Sequence, residues 1–94
     1  MDGVFKALAD PTRRRILRML GDGEMNAGDI AERFDMTAPS VSHHFGVLKN
    51  ADLVSTRRDG QQIYYSINTT VFQDMMTVIF DLLAREEAAK GEPR

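Results

Sequence analysis

Apolar residues recur at helical spacing in five segments of the chain, and in one region they alternate with polar residues. The helical spacing predicts α-helices over residues 3–9, 11–20, 27–34, 38 to about 51 or 52, and 69–89. Residues 53–58 and 61–67 flank Asp59-Gly60, a pair that favours a tight turn, and apolar side chains alternate along the second stretch. No other segment shows a β pattern. The predicted fold class is therefore mainly α (α+β), with about five helices and one two-stranded β-hairpin.

Polar residues that suit a helix N-cap stand directly before four of these helices, including Asn68 before the last one. Asp10 precedes Pro11, and proline at the first helical position has no N–H group to leave unpaired. Asn26 has Asp29 three residues later, in a capping-box arrangement. Thr37 is the predicted cap of the fourth helix. These caps predict a short connection between the third and fourth helices.

Length and composition indicate one compact domain, because the chain has 94 residues, of which 43% are hydrophobic. We expect the domain to span residues 1–90, followed by a frayed tail over residues 91–94. The sequence has no cysteine, no apolar run near the roughly 18 residues of a membrane span and no leader pattern, which predicts a cytoplasmic protein. A chain this short buries a modest share of its surface, so a homodimer is also expected.

The charge balance argues at first against a nucleic-acid partner, because 12 basic and 14 acidic residues give a net charge of −2. The basic residues are clustered, however, with four arginines between positions 13 and 18 and a second group at Lys49, Arg57 and Arg58. Each cluster taken alone is also typical of a solvated surface. We expect non-specific DNA binding to be weak and easily screened by salt.

The order helix, helix, short turn, helix, hairpin, helix is typical of a winged helix-turn-helix, whose second paired helix enters the major groove of DNA. The apolar side of the helix after Thr37 consists of Ala38, Val41, Phe45 and Leu48. The residues predicted to contact DNA from this helix are Thr37, Pro39, Ser40, Ser42, His43 and Val47. Hydroxyl and imidazole groups can reach phosphates or base edges, and valine can contact a thymine methyl. A solvated helix could have a similar serine-rich start, but the neighbouring elements favour DNA.

The predicted hairpin tip, or wing, also carries side chains that suit contact with phosphate or the minor groove. Arg57 and Arg58 precede the turn, and Gln61 follows it. A tip of this composition is common in solvated turns as well. In this context we expect one of the two arginines to contact DNA, and the sequence does not distinguish between them.

Three segments together resemble the ArsR/SmtB-type family of winged-helix regulators: FKALADPTRRRILRML at 5–20, AGDIAERFDMTAPSVSHHFGVLKNADLV at 27–54 and RRDGQQIYYSIN at 57–68. Within the family, the chain is similar to small metal-independent autorepressors of the sporulation-delaying-protein type. The resemblance implies a transcriptional repressor that binds a pseudo-palindromic operator as a homodimer. It also implies that the first and last helices pair across a twofold axis. The implied interface residues are Val4, Phe5, Leu8, Phe72, Met75, Met76, Ile79, Leu82 and Leu83.

The metal-ligand positions known in this family are not matched here. The segment AGDIAERF stands where one family site has a Cys-x-Cys pair, and the last helix has Asp74 and Asp81 but no histidine. His43 and His44 are adjacent and project about 100° apart on a helix, so they do not readily share one ion. We expect His44 to pack or hydrogen-bond beside Phe45. No metal, cofactor or thiol switch is predicted, and the sequence names no effector.

Two other classes of function compete with the repressor. A winged helix can serve as a protein-interaction module that senses a partner protein or a small molecule, because fold does not determine function. That module would have no need of an acid-free face rich in serine and histidine. An enzyme is not indicated either, because Ser42 and the adjacent histidines lack an orienting acid on their face of the helix. No catalytic residues are therefore predicted.

Overall fold

The computed structural model describes residues 1–91 of the chain. Its elements are α1 (Asp2–Leu8), α2 (Pro11–Leu20), β1 (Met25–Asn26), α3 (Ala27–Ala31), α4 (Ala38–Asn50), β2 (Val54–Asp59), β3 (Gln62–Ile67) and α5 (Thr69–Gly91). This is the predicted winged helix-turn-helix, in which α3 and α4 form the helix pair and β2 and β3 form the wing. The frayed tail was predicted over residues 91–94. Residues 92–94 lie outside the described residues, and residue 91 is the last residue of α5.

The sheet has three strands, so the prediction of the hairpin as the only β structure is wrong. β1 pairs antiparallel with β3, with Met25 opposite Tyr65 and Asn26 opposite Tyr64, and the strand order is β1-β3-β2. Two residues are too few to show an alternating pattern. β1 therefore depends on the tertiary fold, which brings this segment beside β3.

The turn of the wing lies one residue later than predicted. β2 and β3 stay paired as far as Asp59 opposite Gln62, so the two-residue loop is Gly60-Gln61 and not Asp59-Gly60. Gly60 has a φ of +63°. Glycine adopts this angle without steric cost, and its place at the first loop position matches a type II′ hairpin turn.

α3 ends at Ala31, three residues before the predicted end at Phe34. The amide of Arg33 donates to the carbonyl oxygen of Ile30 at 3.0 Å. The amide of Phe34 likewise donates to Ala31 at 3.1 Å. These bonds span three residues, so the chain leaves the α-helix through a tighter turn. Phe34 still packs against the core, which explains the helical spacing that suggested a longer helix.

The predicted N-caps of α2, α3 and α4 are present. Asp10 Oδ2 accepts the Arg13 amide at 3.0 Å, Asn26 Oδ1 accepts the Gly28 amide at 2.7 Å, and Thr37 Oγ1 accepts the Ser40 amide at 3.3 Å. The Asn26 bond reaches the second residue of α3, whereas a capping box would bond Asp29, the third. Each cap satisfies a backbone donor that has no partner within its helix.

One hydrophobic core receives side chains from every helix and from both long strands. Its buried members are Val4, Ala7, Ile16, Leu17, Leu20, Ile30, Val41, Phe45, Leu48, Leu53, Val54, Tyr65 and Met75. Phe45 of α4 stacks on Tyr65 of β3 with ring centroids 4.6 Å apart. Burying a large apolar side chain contributes about 1.5–3 kcal/mol, so this contact anchors α4 to one face of the wing.

Arginines of α2 hold the C-terminal end of α1. Arg13 Nε donates to the carbonyl oxygen of Ala7 at 2.7 Å, and its Nη2 donates to that of Lys6 at 3.3 Å. Arg14 Nη1 donates to the carbonyl oxygen of Leu8 at 2.8 Å. The last carbonyls of a helix have no partner within it, and cations there also interact favourably with the helix dipole. Part of the basic cluster therefore stabilises the fold.

Candidate nucleic-acid interface

The outer side of α4 presents several of the predicted DNA-contacting residues together. Pro39, Ser42 and His43 are exposed, and the opposite side of the helix packs into the core. Ala38 was predicted to face the core but is exposed. Residues 35–39 are all exposed, so the first turn of α4 projects beyond the elements that cover the rest of the helix. A projecting helix N-terminus is free to approach a groove or a phosphate.

The hydroxyls at the start of α4 differ in their contacts. Thr37 Oγ1 accepts the Ser40 amide, and the half-buried Ser40 donates its hydroxyl to the sulfur of Met36 at 3.9 Å. The Ser42 hydroxyl has no hydrogen-bond partner among the described residues, and its side chain is exposed. Of the predicted hydroxyl contacts, Ser42 is therefore the one most available to DNA.

Val47 lies on the side of α4 that faces α1. It is half-buried against the core and lines a shallow groove of about 230 Å³ with Gly3, Lys6 and Asn50. The helical pattern could not show this, because α1 covers a side of α4 that would otherwise be exposed. We do not include Val47 among the DNA contacts proposed below.

His44 attaches α4 to the start of α2. Its Nδ1 lies 3.2 Å from Arg13 Nη1 and 3.7 Å from Asp10 Oδ2. A guanidinium group can only donate, so Nδ1 is the acceptor in this contact. The expected packing and hydrogen-bonding role of His44 is confirmed, while the adjacent His43 projects to the exposed side.

On the wing, Arg57 is held by contacts within the protein. It donates from Nη2 to Glu24 Oε1 at 2.7 Å and from Nε to Glu24 Oε2 at 3.1 Å. Its guanidinium carbon also lies 4.5 Å from the ring centroid of Tyr64. Sequence reasoning missed Glu24, because an isolated acid gives no sign of a partner 33 positions away.

This ion pair changes the acidity of both partners. The hydrogen bonds from Arg57 lower the pKa of the Glu24 carboxyl. Hydrogen bonding to Glu24 raises the pKa of Arg57. Each group stabilises the charged form of the other, so both stay ionised at neutral pH.

Arg58 and Gln61, the other two predicted wing residues, are exposed. Arg58 lies on β2 opposite Ile63, and Gln61 lies in the loop. The side chain of Arg58 makes no hydrogen bond or ion pair with another residue in the range 1–91. The wing tip therefore presents one engaged and one available arginine.

Exposed apolar side chains also lie on α1 and α5, the helices of the predicted dimer interface. Among the predicted interface residues, Val4 and Met75 are buried within the subunit, and Leu8, Phe72 and Ile79 are partly buried. The exposed members are Phe5, Met76, Leu82 and Leu83. Val78 and Phe80, which the prediction omitted, are exposed as well.

Two further features of the described residues concern metal binding and membrane spanning. Residues 1–91 contain no group of three or more His, Cys, Asp or Glu side chains placed to hold a metal ion. Within the same part of the chain, no helix combines the length and apolar character needed to cross a membrane.

Comparison with known proteins defines the class. The profile of a family described as a helix-turn-helix domain matches residues 8–57. The chain is 53% identical over 83 residues to the transcriptional repressor SdpR of Bacillus subtilis (strain 168), covering 88% of this chain and 92% of that protein. It is 44% identical over 92 residues to the HTH-type transcriptional regulator KmtR of Mycobacterium tuberculosis, covering 97% of this chain and 68% of that protein.

The solved structures agree with the sequence matches. The crystal structure of an ArsR family transcriptional regulator superimposes with a TM-score of 0.81 at 30% identity, covering 98% of this chain and 92% of that chain. The chain belongs to the ArsR family of winged helix-turn-helix transcriptional regulators. The resemblance inferred from the sequence is thereby confirmed, as is the expectation that the chain is not an enzyme.

Proposed function

We propose that this protein is a transcriptional repressor that binds a pseudo-palindromic operator as a homodimer and occludes a promoter. The observation that carries the proposal is the outer face of α4, where Ser42 and His43 are exposed and no acidic residue lies between Ala38 and Asn50. Such a face can approach a phosphate backbone without repulsion and place donors at base edges. The relative SdpR is named as a transcriptional repressor, which supports repression as the effect on transcription.

The homodimer is supported by the apolar surface of α5. Five large apolar side chains on this helix are at least 37% exposed: Met76, Val78, Phe80, Leu82 and Leu83. Several large apolar side chains exposed on one helix are typical of a surface that associates with another protein. A twofold dimer would place two α4 helices about one turn of DNA apart, which is the reason for proposing a pseudo-palindromic site.

We further propose that the repressor acts without bound metal, and in the cytoplasm. The chain has no cysteine, and its two histidines differ in setting: His44 is engaged with Arg13, whereas His43 is exposed. Transition metals need soft or imidazole ligands that converge on one point. The two imidazoles do not converge in this way, so control by a metal ion is not favoured.

The proposal is tested by selecting DNA with the purified protein from a pool of random duplexes. We expect enrichment of one sequence with two inverted half-sites whose centres are about 10 base pairs apart. Footprinting on the DNA upstream of its own gene tests autoregulation separately. If no sequence is enriched, the chain does not read DNA in this way, and a protein-interaction module becomes the better assignment.

The reading face is tested with the double variant Ser42→Ala/His43→Ala on the selected duplex. A base contact is worth about 1–3 kcal/mol, so losing two should weaken specific binding by at least about tenfold and remove the shifted complex. Ser55→Ala, an exposed serine on the wing, is the matched control and should bind like the parent. Circular dichroism and dimer mass should be unchanged in both variants. Full binding by the double variant would contradict the assignment of the reading face.

A further inference from the structure

The two wing arginines leave the sheet on opposite faces, because successive residues of a strand point to opposite sides. Arg58 shares a face of the sheet with Thr56 and Val54 of β2. Ile63 and Tyr65 of β3, which lie opposite Arg58 and Thr56, are on the same face. Tyr65 stacks on Phe45, so this is the face turned toward α4. Arg57 lies on the other face, opposite Tyr64.

The face that carries Arg57 is occupied by an internal polar network. Arg57 makes a two-pronged bond to Glu24, lies over the ring of Tyr64 and approaches Asp59 Oδ2 at 4.0 Å. On the same face, the Asn26 side chain donates to Gln62 Oε1. An exposed ion pair alone contributes little, but here the fork geometry and the aromatic contact act together. Moving Arg57 to a phosphate would break its contacts with Glu24 and Tyr64.

The face that carries Arg58 offers its cation no competing partner. Thr56 and Ile63, its neighbours on that face, have no charge, and no acid within residues 1–91 pairs with Arg58. Arg58 and Ile63 form the second-last residue pair of the hairpin before its loop. The side chain of Arg58 therefore lies near the tip of the wing. A long, unpaired cation in this place suits a phosphate or the minor groove.

We propose that Arg58 is the wing residue that contacts DNA, and that Arg57 instead fixes the wing to the segment before β1 through Glu24. This assignment rests on the proposed function and resolves what the sequence left open. Arg58 contributes a positive charge to the complex, whereas the charge of Arg57 is already neutralised by Glu24. The two arginines should therefore differ in how strongly they determine the salt dependence of binding.

The test measures the dissociation constant of a duplex selected from the random pool at several salt concentrations. The proteins are the parent, Arg57→Gln and Arg58→Gln, with Arg85→Gln in the distal half of α5 as the charge-matched control. Each neutralised phosphate contributes about 0.9 to the slope of log affinity against log salt. We expect Arg58→Gln to lower the slope by about that amount for each wing, and the other two variants to keep the parental slope.

The outcomes separate this inference from the proposed function. If the parent enriches no duplex, the repressor proposal fails before any variant is compared. If the parent binds and Arg58→Gln keeps its slope, or if Arg57→Gln lowers the slope equally, the assignment of Arg58 is overturned. Circular dichroism identifies any variant that does not fold. In that case Arg58→Lys, which should keep the parental slope, and Arg58→Met, which should lower it, decide the question.

Discussion

At the residue scale, the end of α4 shows how one backbone angle connects the reading helix to the wing. Asp52 has a φ of +57°, in the left-handed region that residues with a Cβ rarely adopt. Its amide donates to the carbonyl oxygen of Lys49 at 3.0 Å. The amide of the next residue, Leu53, donates to Leu48 at 3.1 Å. This pair of bonds is the Schellman motif, and it directs the fully buried Leu53 into the core just before β2.

Replacing Asp52 by glycine should therefore stabilise the protein. Glycine removes the steric cost of the left-handed angle, and the change also removes a negative charge from the C-terminal end of a helix. We expect the free energy of unfolding to rise by about 0.5–1 kcal/mol, measured by urea denaturation. Asp52→Ala is the control, because it removes the charge but keeps a Cβ at the same angle, and it should stabilise less than glycine does. Equal stabilisation by both variants would assign the effect to charge.

At the scale of an element, the start of α2 organises the helices around it. Asp10 accepts the Arg13 amide, and the Arg13 side chain binds both α1 and His44 of α4. The bond from the Arg13 amide lowers the pKa of Asp10 below its ordinary value of 3.8, against the opposing effect of burial. The carboxylate is thus more stable in the folded state than in the unfolded state.

This shift predicts a pH dependence of stability. A carboxyl whose folded pKa is lowered stabilises the fold above its unfolded pKa and loses that effect as the pH falls through the folded value. Asparagine caps a helix about as well but has no charge, so Asp10→Asn should cost about 0.3–1 kcal/mol at neutral pH. The difference between parent and variant, measured by urea denaturation, should shrink as the pH falls below about 3.8. A difference that stays constant down to pH 2 would contradict this account.

At the scale of the whole molecule, the subunit is longer than a chain of this size usually is. Its radius of gyration is 16.7 Å, and its extents are 62 × 24 × 21 Å. A compact domain of this length would have a radius of gyration of about 12 Å. The cause is α5, which spans about 34 Å and continues past the core that buries Met75. A second subunit would cover the apolar residues of this distal half.

Leu82→Asp should consequently disrupt the proposed dimer. Leu82 is 62% exposed in the subunit, so the fold of the monomer loses little, but a charge placed in an apolar interface is costly. We expect a monomer, or an unfolded chain, by light scattering. Ala88→Asp places the same charge on the side of α5 that carries Asp81 and Arg85, and it should remain dimeric. A stable Leu82→Asp dimer would show that the subunits associate through another surface.

The features that sequence could predict are those set by neighbours along the chain. The helix starts at Pro11 and Thr69, the caps, and the exposure of Ser42 and His43 all follow from local spacing and side-chain chemistry. The features that the local pattern did not show depend on distant contacts. β1 requires β3 beside it, and the partial burial of Val47 comes from the packing of α1 on α4.

The sequence by itself determined the order of the five helices and the hairpin, the polar face of α4 and the family, because helical period, caps and motifs are local properties. Tertiary structure alone decided how the two wing arginines differ. Their side chains have the same chemistry and adjacent positions, but the register of β2 with β3 puts them on opposite faces. Only the folded chain brings Glu24 to Arg57, and this contact leaves Arg58 as the available cation.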